Sequence, residues 1–131
     1  LVWLARLAGG EHEEHGDVRA AGRRGDHFSG FCELIEEGYA THKPVSHYAK
    51  QLGITAAHLN ALCRQAVGKS ALALIHERMI LEAKRNLVYT SMTVGVVGDT
   101  IGFGDPAYFT RFFKRQVGMS PKEFRQKAGT L

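Results

Sequence analysis

One residue pattern occurs twice in this chain, and few folds can house both copies. The first copy runs from about Val45 to Val67 and the second from about Val94 to Val117. Ala49, Leu52, Gly53 and Ile54 match Gly98, Ile101, Gly102 and Phe103 at an offset of 49. Leu59, Cys63, Val67, Gly68 and Ser70 match Phe109, Phe113, Val117, Gly118 and Ser120 at an offset of 50, so the second turn is one residue longer. Each copy reads as two helices meeting at a tight turn. Helices that cross steeply approach closely only where a side chain is small, the place held by Ala49 and Gly98. Gly53 and Gly102 end the first helix of each pair, where a positive φ suits the turn. The pattern is that of a helix-turn-helix, with one face of each second helix packed inward and the other left for a groove.

The rest of the chain fits around this repeat. Apolar residues at 28, 31, 32, 34, 35 and 39 form a helical stripe over Phe28–Tyr39. Thr55 is a good N-cap for the helix to about Ala66, and Gly68 ends it. Ser70 caps a long helix to about Thr90, with Leu72, Ile75, Met79, Ala83 and Leu87 stepping along one face. That helix is expected to be about 30 Å long, close to the ~34 Å between major-groove faces on one side of a duplex. Asp105-Pro106 opens the next helix, and Ser120-Pro121-Lys122-Glu123 is a capping box for the last. The fold class expected is all-α: seven helices in two helix-turn-helix subdomains joined by a long linker helix.

Charge sharpens this. The chain of 131 residues has net charge +4. From Phe28 onward it carries 13 Lys and Arg against 8 Asp and Glu, whereas Leu1–His27 carries 4 against 5. The basicity therefore travels with the repeat and suits a polyanionic partner. Cys32 and Cys63 lie inside apolar helical patterns and read as buried free thiols of a reducing cytoplasm. No apolar stretch is long enough for a membrane span, and no catalytic grouping, metal spacing or phosphate-binding glycine loop is present. Gly9–Asp26 holds five glycines among charged residues, the composition of a linker. His12-Glu13-Glu14-His15 within it reads as solvated linker rather than a metal site. A helical protein-interaction module without DNA binding stays open as the alternative to DNA recognition.

The run Ile101-Gly102-Phe103-Gly104-Asp105-Pro106-Ala107-Tyr108-Phe109-Thr110-Arg111-Phe112-Phe113-Lys114-Arg115, followed by Gly118-Met119-Ser120-Pro121 and Phe124-Arg125, resembles the second helix-turn-helix of the AraC/XylS family of bacterial transcription regulators. Tyr48-Ala49, Leu52-Gly53, His58-Leu59-Asn60 and Gly68-Lys69-Ser70 agree with its first. The resemblance covers about Phe28–Ala128. It implies a sequence-specific DNA-binding regulator, an activator that contacts RNA polymerase, working in the cytoplasm and using no cofactor. It also implies an upstream domain that binds a small-molecule effector. Leu1–Ala8 with its linker, residues 1–27, is accordingly expected to be the edge of such a domain, and residues 28–131 a DNA-binding domain that is monomeric by itself.

By family position Ala57, Asn60 and Ala61 of the first unit face base edges, as do Ala107, Thr110 and Arg111 of the second. Asn60 suits adenine and Arg111 suits guanine O6 and N7, while the alanines can touch only a thymine methyl. Arg64, Lys69, Lys114, Arg115 and Lys122 are candidates for phosphate. Arg78 is expected to brace the linker helix. Gly95 and Gly98 sit inside the helix Thr93–Ile101, each costing about 1 kcal/mol relative to Ala, so the second unit is expected to be the softer when free.

Overall fold

The computed structural model describes residues 18–129, so Leu1–Ala8 and the His12–His15 patch lie outside the described residues. The described chain forms seven helices: α1 Val18–Gly38, α2 Val45–Gln51, α3 Ala56–Val67, α4 Ala71–Tyr89, α5 Val94–Thr100, α6 Pro106–Val117 and α7 Pro121–Gly129. A single 3-10 turn, Tyr39–Thr41, follows α1. The all-α expectation holds, with one difference at the start. Helix α1 begins at Val18 rather than near Phe28. Arg19, Ala20, Ala21, Arg23 and Arg24 are good helix formers, whereas Gly22 and Gly25 each cost roughly 1 kcal/mol there.

The helix ends follow local chemistry. The Thr55 hydroxyl accepts the His58 N–H at 3.0 Å, Thr93 accepts that of Val96 at 3.2 Å, and Asp105 accepts that of Ala107 at 3.0 Å. Each of these satisfies a donor that the first turn of a helix leaves without an intrahelical partner. At α7 the Ser120 hydroxyl accepts from the Glu123 N–H at 3.1 Å, and the Glu123 carboxylate accepts from the Ser120 N–H at 3.4 Å, closing the capping box. Gly68 and Gly118 stop α3 and α6 at φ values of 73° and 91°.

The chain divides into two compact units that are not sequential. One takes α1 together with Lys43–Ile75; the other takes Tyr39–His42 together with everything from His76. In the first unit α1 packs on α2 and α3, and α2 on α3. Phe31, Ile35, Leu59, Cys63 and Leu74 are fully buried in that core, and burial pushes the thiols of Cys32 and Cys63 up to about 11 and about 12. Both are free cysteines and, held as neutral thiols, have the character of core residues rather than nucleophiles. In the second unit α5 packs on α6 and α6 on α7 around Val97, Ile101, Phe109 and Phe113.

Helix α4 contributes to both units and contains neither Gly nor Pro. Its 19 residues rise about 28 Å. Its buried residues are Ala71, Leu74, Ile75, Arg78, Met79, Ile80, Ala83 and Leu87. Leu72, expected on this stripe, is 48% exposed. The inward position of the first turn belongs to Ala71, one residue and about 100° earlier on the helix, a side chain too small to register as an apolar anchor. Arg78 does brace the helix. It is 6% exposed, donates to the Glu82 carboxylate at 3.1 Å, and sets its guanidinium carbon 4.5 Å from the centre of the Tyr39 ring. At the far end of α4, Arg125 donates to the carbonyl of Leu87 at 2.9 Å and, more loosely, to those of Asn86 and Thr90. It thereby satisfies carbonyls that the last turn of a helix leaves open.

Candidate nucleic-acid interface

The turns place the second helix of each pair. In the first unit Gly53 adopts φ 73°, and the Ile54 N–H returns to the Ala49 carbonyl at 3.0 Å. In the second, Gly102 adopts φ 91°, and the Phe103 N–H returns to the Gly98 carbonyl at 2.9 Å. Both are the left-handed helix ending that glycine permits. Ala49 and Gly98 are both buried at the crossing. At Gly98 the fit is closest, since a Cβ would lie 2.9 Å from Phe109 Cγ and 3.0 Å from both its Cβ and Cδ2. The glycine that weakens α5 as an isolated helix is thus what lets α6 lie against it. Gly95 has a similar if looser neighbour in Pro106, whose Cγ would be 3.3 Å from a Cβ.

Each second helix then divides into two faces. In α6, Phe109, Phe112 and Phe113 are buried, while Ala107, Arg111 and Lys114 are exposed and Thr110 is half-buried beside them. In α3, Leu59, Leu62 and Cys63 are buried, while Ala57, Ala61 and Arg64 are exposed and Asn60 is half-buried. The outward positions 57, 60, 61 and 64 and 107, 110, 111 and 114 share the i, i+3, i+4, i+7 spacing of one helical face. They correspond one to one at an offset of 50. Each face ends in a cation, Arg64 or Lys114, and the second gains Arg115 alongside. Lys122 is exposed on the first turn of α7, whereas Lys69 is half-buried before α4.

Two candidate residues have side-chain or backbone partners of their own. The side-chain oxygen of Asn60 accepts the N–H of Ala71 at 2.9 Å. It caps the first turn of α4 together with Ser70, whose hydroxyl accepts from the Ala73 N–H at 3.1 Å. A bidentate contact with adenine needs both ends of the amide, and here the acceptor end is already engaged. Asn60→Ala is therefore expected to cost about 1 kcal/mol of stability through the lost cap. Asn60→Asp, which keeps the acceptor, should hold stability near the native value. Urea unfolding of the two variants checks this.

Arg111 is the second case. Its guanidinium carbon lies 5.0 Å from the centre of the Tyr108 ring, three residues earlier on α6. Tyr108 is 60% exposed. The contact is a cation–π pair that holds the fork of Arg111 on the outer face. The i, i+3 spacing that makes it possible was visible in the sequence. Nearby, His76 packs edge-on to Phe112 at 5.1 Å and faces Gln116. Burial chiefly, with the neighbouring Arg115 and His42, holds it below the ordinary histidine range. Among the described residues no group of His, Cys, Asp and Glu could hold a metal ion, and no helix is long and apolar enough to cross a membrane.

Known proteins share this arrangement. The pattern of the family described as "Helix-turn-helix domain" matches residues 48–127, which is well over half of the chain. The arabinose operon regulatory protein of Salmonella typhimurium is 36% identical over 95 residues, covering 72% of this chain and 34% of its own length. Its Escherichia coli counterpart is 35% identical over 95 residues, covering 72% of this chain and 32% of its own length. The chain thus spans about a third of the length of these curated relatives. A crystal structure from Chromobacterium violaceum, titled as a transcriptional regulator among AraC-type DNA-binding domain-containing proteins, superimposes with a TM-score of 0.68. It is 19% identical and covers 79% of this chain and 92% of that one, a likeness of fold. None of the three is named as an enzyme. Two glycine-ended turns, two cation-edged outer faces and the matched family pattern agree: the chain belongs to the AraC-type family of helix-turn-helix domains.

Proposed function

We propose that the chain is the DNA-binding part of a transcription regulator and that α3 and α6 enter successive major grooves. The observation that carries this reading is the outer face of α6. Arg111 and Thr110 stand at its centre with Ala107 on one side and Lys114 and Arg115 on the other, while three phenylalanines anchor the opposite face. A planar, always-charged fork held by Tyr108 suits the O6 and N7 of guanine. The lysine and arginine one turn farther along suit phosphates. Helix α3 repeats the geometry with weaker chemistry, since Ala57 and Ala61 offer methyl groups and Asn60 shares its oxygen with the Ala71 N–H while its amide N–H groups stay available to a base. Arg64, Lys69 and Lys122 complete the proposed phosphate contacts. The names of the curated relatives support operon regulation as the setting. The proposed sense is activation through RNA polymerase, in the cytoplasm, with effector control supplied by a domain upstream.

Substitutions separate the two kinds of contact. Arg111→Ala should relax the preference at a single base pair at a cost of about 1–3 kcal/mol, while Lys114→Ala should weaken binding to all sequences alike and lower the salt slope by about 1. The measurement is a mobility-shift titration at several salt concentrations. It uses duplexes recovered by the native chain from a random-sequence pool, together with their single-base variants. An equal loss on every variant for Arg111→Ala would remove it from the base-reading set.

A further inference from the structure

The segment Tyr39–His42 joins α1 to α2, two helices of the first unit, yet it packs within the second. Its ends are held differently. Tyr39 lies under the guanidinium of Arg78. His42 Nε2 donates to the carbonyl of Ile101 at 2.8 Å, and the His42 ring meets the Phe103 ring edge-on at 4.6 Å between centroids. Ile101 and Phe103 flank Gly102, so the segment lies across the turn between α5 and α6.

Three further facts tie it to that turn. Ile101 is the C-cap of α5, and a carbonyl at a helix end has no partner within its own helix, so the histidine satisfies an acceptor the helix leaves open. A Cβ on Gly102 would collide with the carbonyl oxygen of Ala40 and come within 2.8 Å of His42 Nε2, whereas the equivalent Gly53 has nothing within 4 Å. The two turns are alike in backbone, but only the second has another segment against its glycine. Finally, His42 has φ 56°, the one positive φ at a non-glycine among the described residues. Backbone in that region persists where its surroundings hold it, and here the ring contact and the hydrogen bond do so.

We propose that Tyr39–His42 is a working part of the second helix-turn-helix and that His42 is a positioning residue for α6. The path runs through Phe103, whose ring touches Phe109 and Phe112 at 5.8 and 5.0 Å. These are the residues that seat α6, so the angle at which Thr110 and Arg111 are presented depends on a side chain more than sixty residues earlier in the chain. This rests on the reading above, in which α6 meets DNA. His42 is an exposed residue, so its substitution leaves no cavity in the core of the unit.

His42→Gly tests the idea in the full chain, because it relieves the left-handed backbone while deleting the ring and the donor. His42→Gln is the companion, since it keeps an N–H at about the reach of Nε2. With His42→Gly, amides of residues 101–109 should exchange roughly tenfold faster while those of 56–67 stay as in the native chain, a local opening rather than a global one. On a duplex recovered by the native chain from a random-sequence pool, the hydroxyl-radical footprint of the α6 half-site should fade while the α3 half-site persists. His42→Gln should restore part of both. Unchanged exchange at 101–109 overturns the proposal, as does uniform acceleration across both units, which would mark a merely structural role. A footprint untouched despite faster local exchange overturns the positioning of α6. The reading of α6 as a DNA-binding helix fails separately, if the native chain itself protects only one half-site; the exchange result still decides the role of the segment.

Discussion

Gly102→Ala should destabilise the second unit by about 2–5 kcal/mol, while Gly53→Ala, at the matching place in the first, should cost about 1–2 kcal/mol. The two glycines share a left-handed conformation, with φ of 91° and 73°. An L side chain there costs about 1–2 kcal/mol by itself. Around Gly53 that is the whole effect, because nothing stands within 4 Å of an added Cβ. At Gly102 the carbonyl of Ala40 and the ring of His42 occupy the space, and the nearer obstacle is backbone. Either the segment 39–42 lifts away, losing the bond to Ile101, or the turn opens. Overpacking of this kind adds about 1–3 kcal/mol. Paired urea melts of the two variants against the native chain check the difference, and near-equal losses would show that the segment does not press on the turn.

Phe109→Ala should cost about 3–5 kcal/mol, the range for emptying a fully buried aromatic site. The more telling result concerns its neighbour. In the native chain Gly98→Ala should destabilise, because a Cβ 2.9–3.0 Å from three Phe109 atoms outweighs the gain of about 1 kcal/mol in helix propensity. In the Phe109→Ala background Cγ and Cδ2 are gone and only the Cβ at 3.0 Å remains, beside a cavity into which it can shift, so the same substitution should lose most of its cost. A four-variant cycle measured by denaturant unfolding reads that difference directly. An equal cost in both backgrounds would mean that Gly98 is not there to admit the Phe109 ring.

What could be read from the sequence was what acts within a few residues. Thr55, Asp105 and the Ser120–Glu123 pair declared their helix starts because a capping bond spans only two or three positions. Gly53, Gly68, Gly102 and Gly118 declared the turns, and all four adopt positive φ. The inward faces of α3 and α6 followed from apolar spacing, and the base-facing residues opposite them from the family resemblance. The features that stayed hidden are those made across the chain. Asn60 had the look of a base reader, and nothing near it in sequence announces that Ala71, eleven residues on, takes its oxygen. His42 stood in a His-Lys-Pro stretch that reads as a simple break, and its partners are 59 and 61 residues away. Leu72 was placed inward because it stands three residues before Ile75, although the smaller Ala71, four before it, holds the inward position.

The non-sequential division of the chain has a bearing on synthesis. A ribosome delivers residues in order, and the first unit is complete once Ile75 has emerged. The second can close only after its last helices arrive, and it must then dock on four residues made long before. In a nascent chain Tyr39–His42 therefore waits for the later half, and the His42 backbone gains the contacts that hold it only when Ile101 and Phe103 arrive. For the same reason a fragment beginning at His76 inherits a whole sequence repeat but only part of the unit that the repeat builds. The duplication visible in the sequence is thus not a pair of separable modules, and the order of assembly is written into one short crossing of the chain.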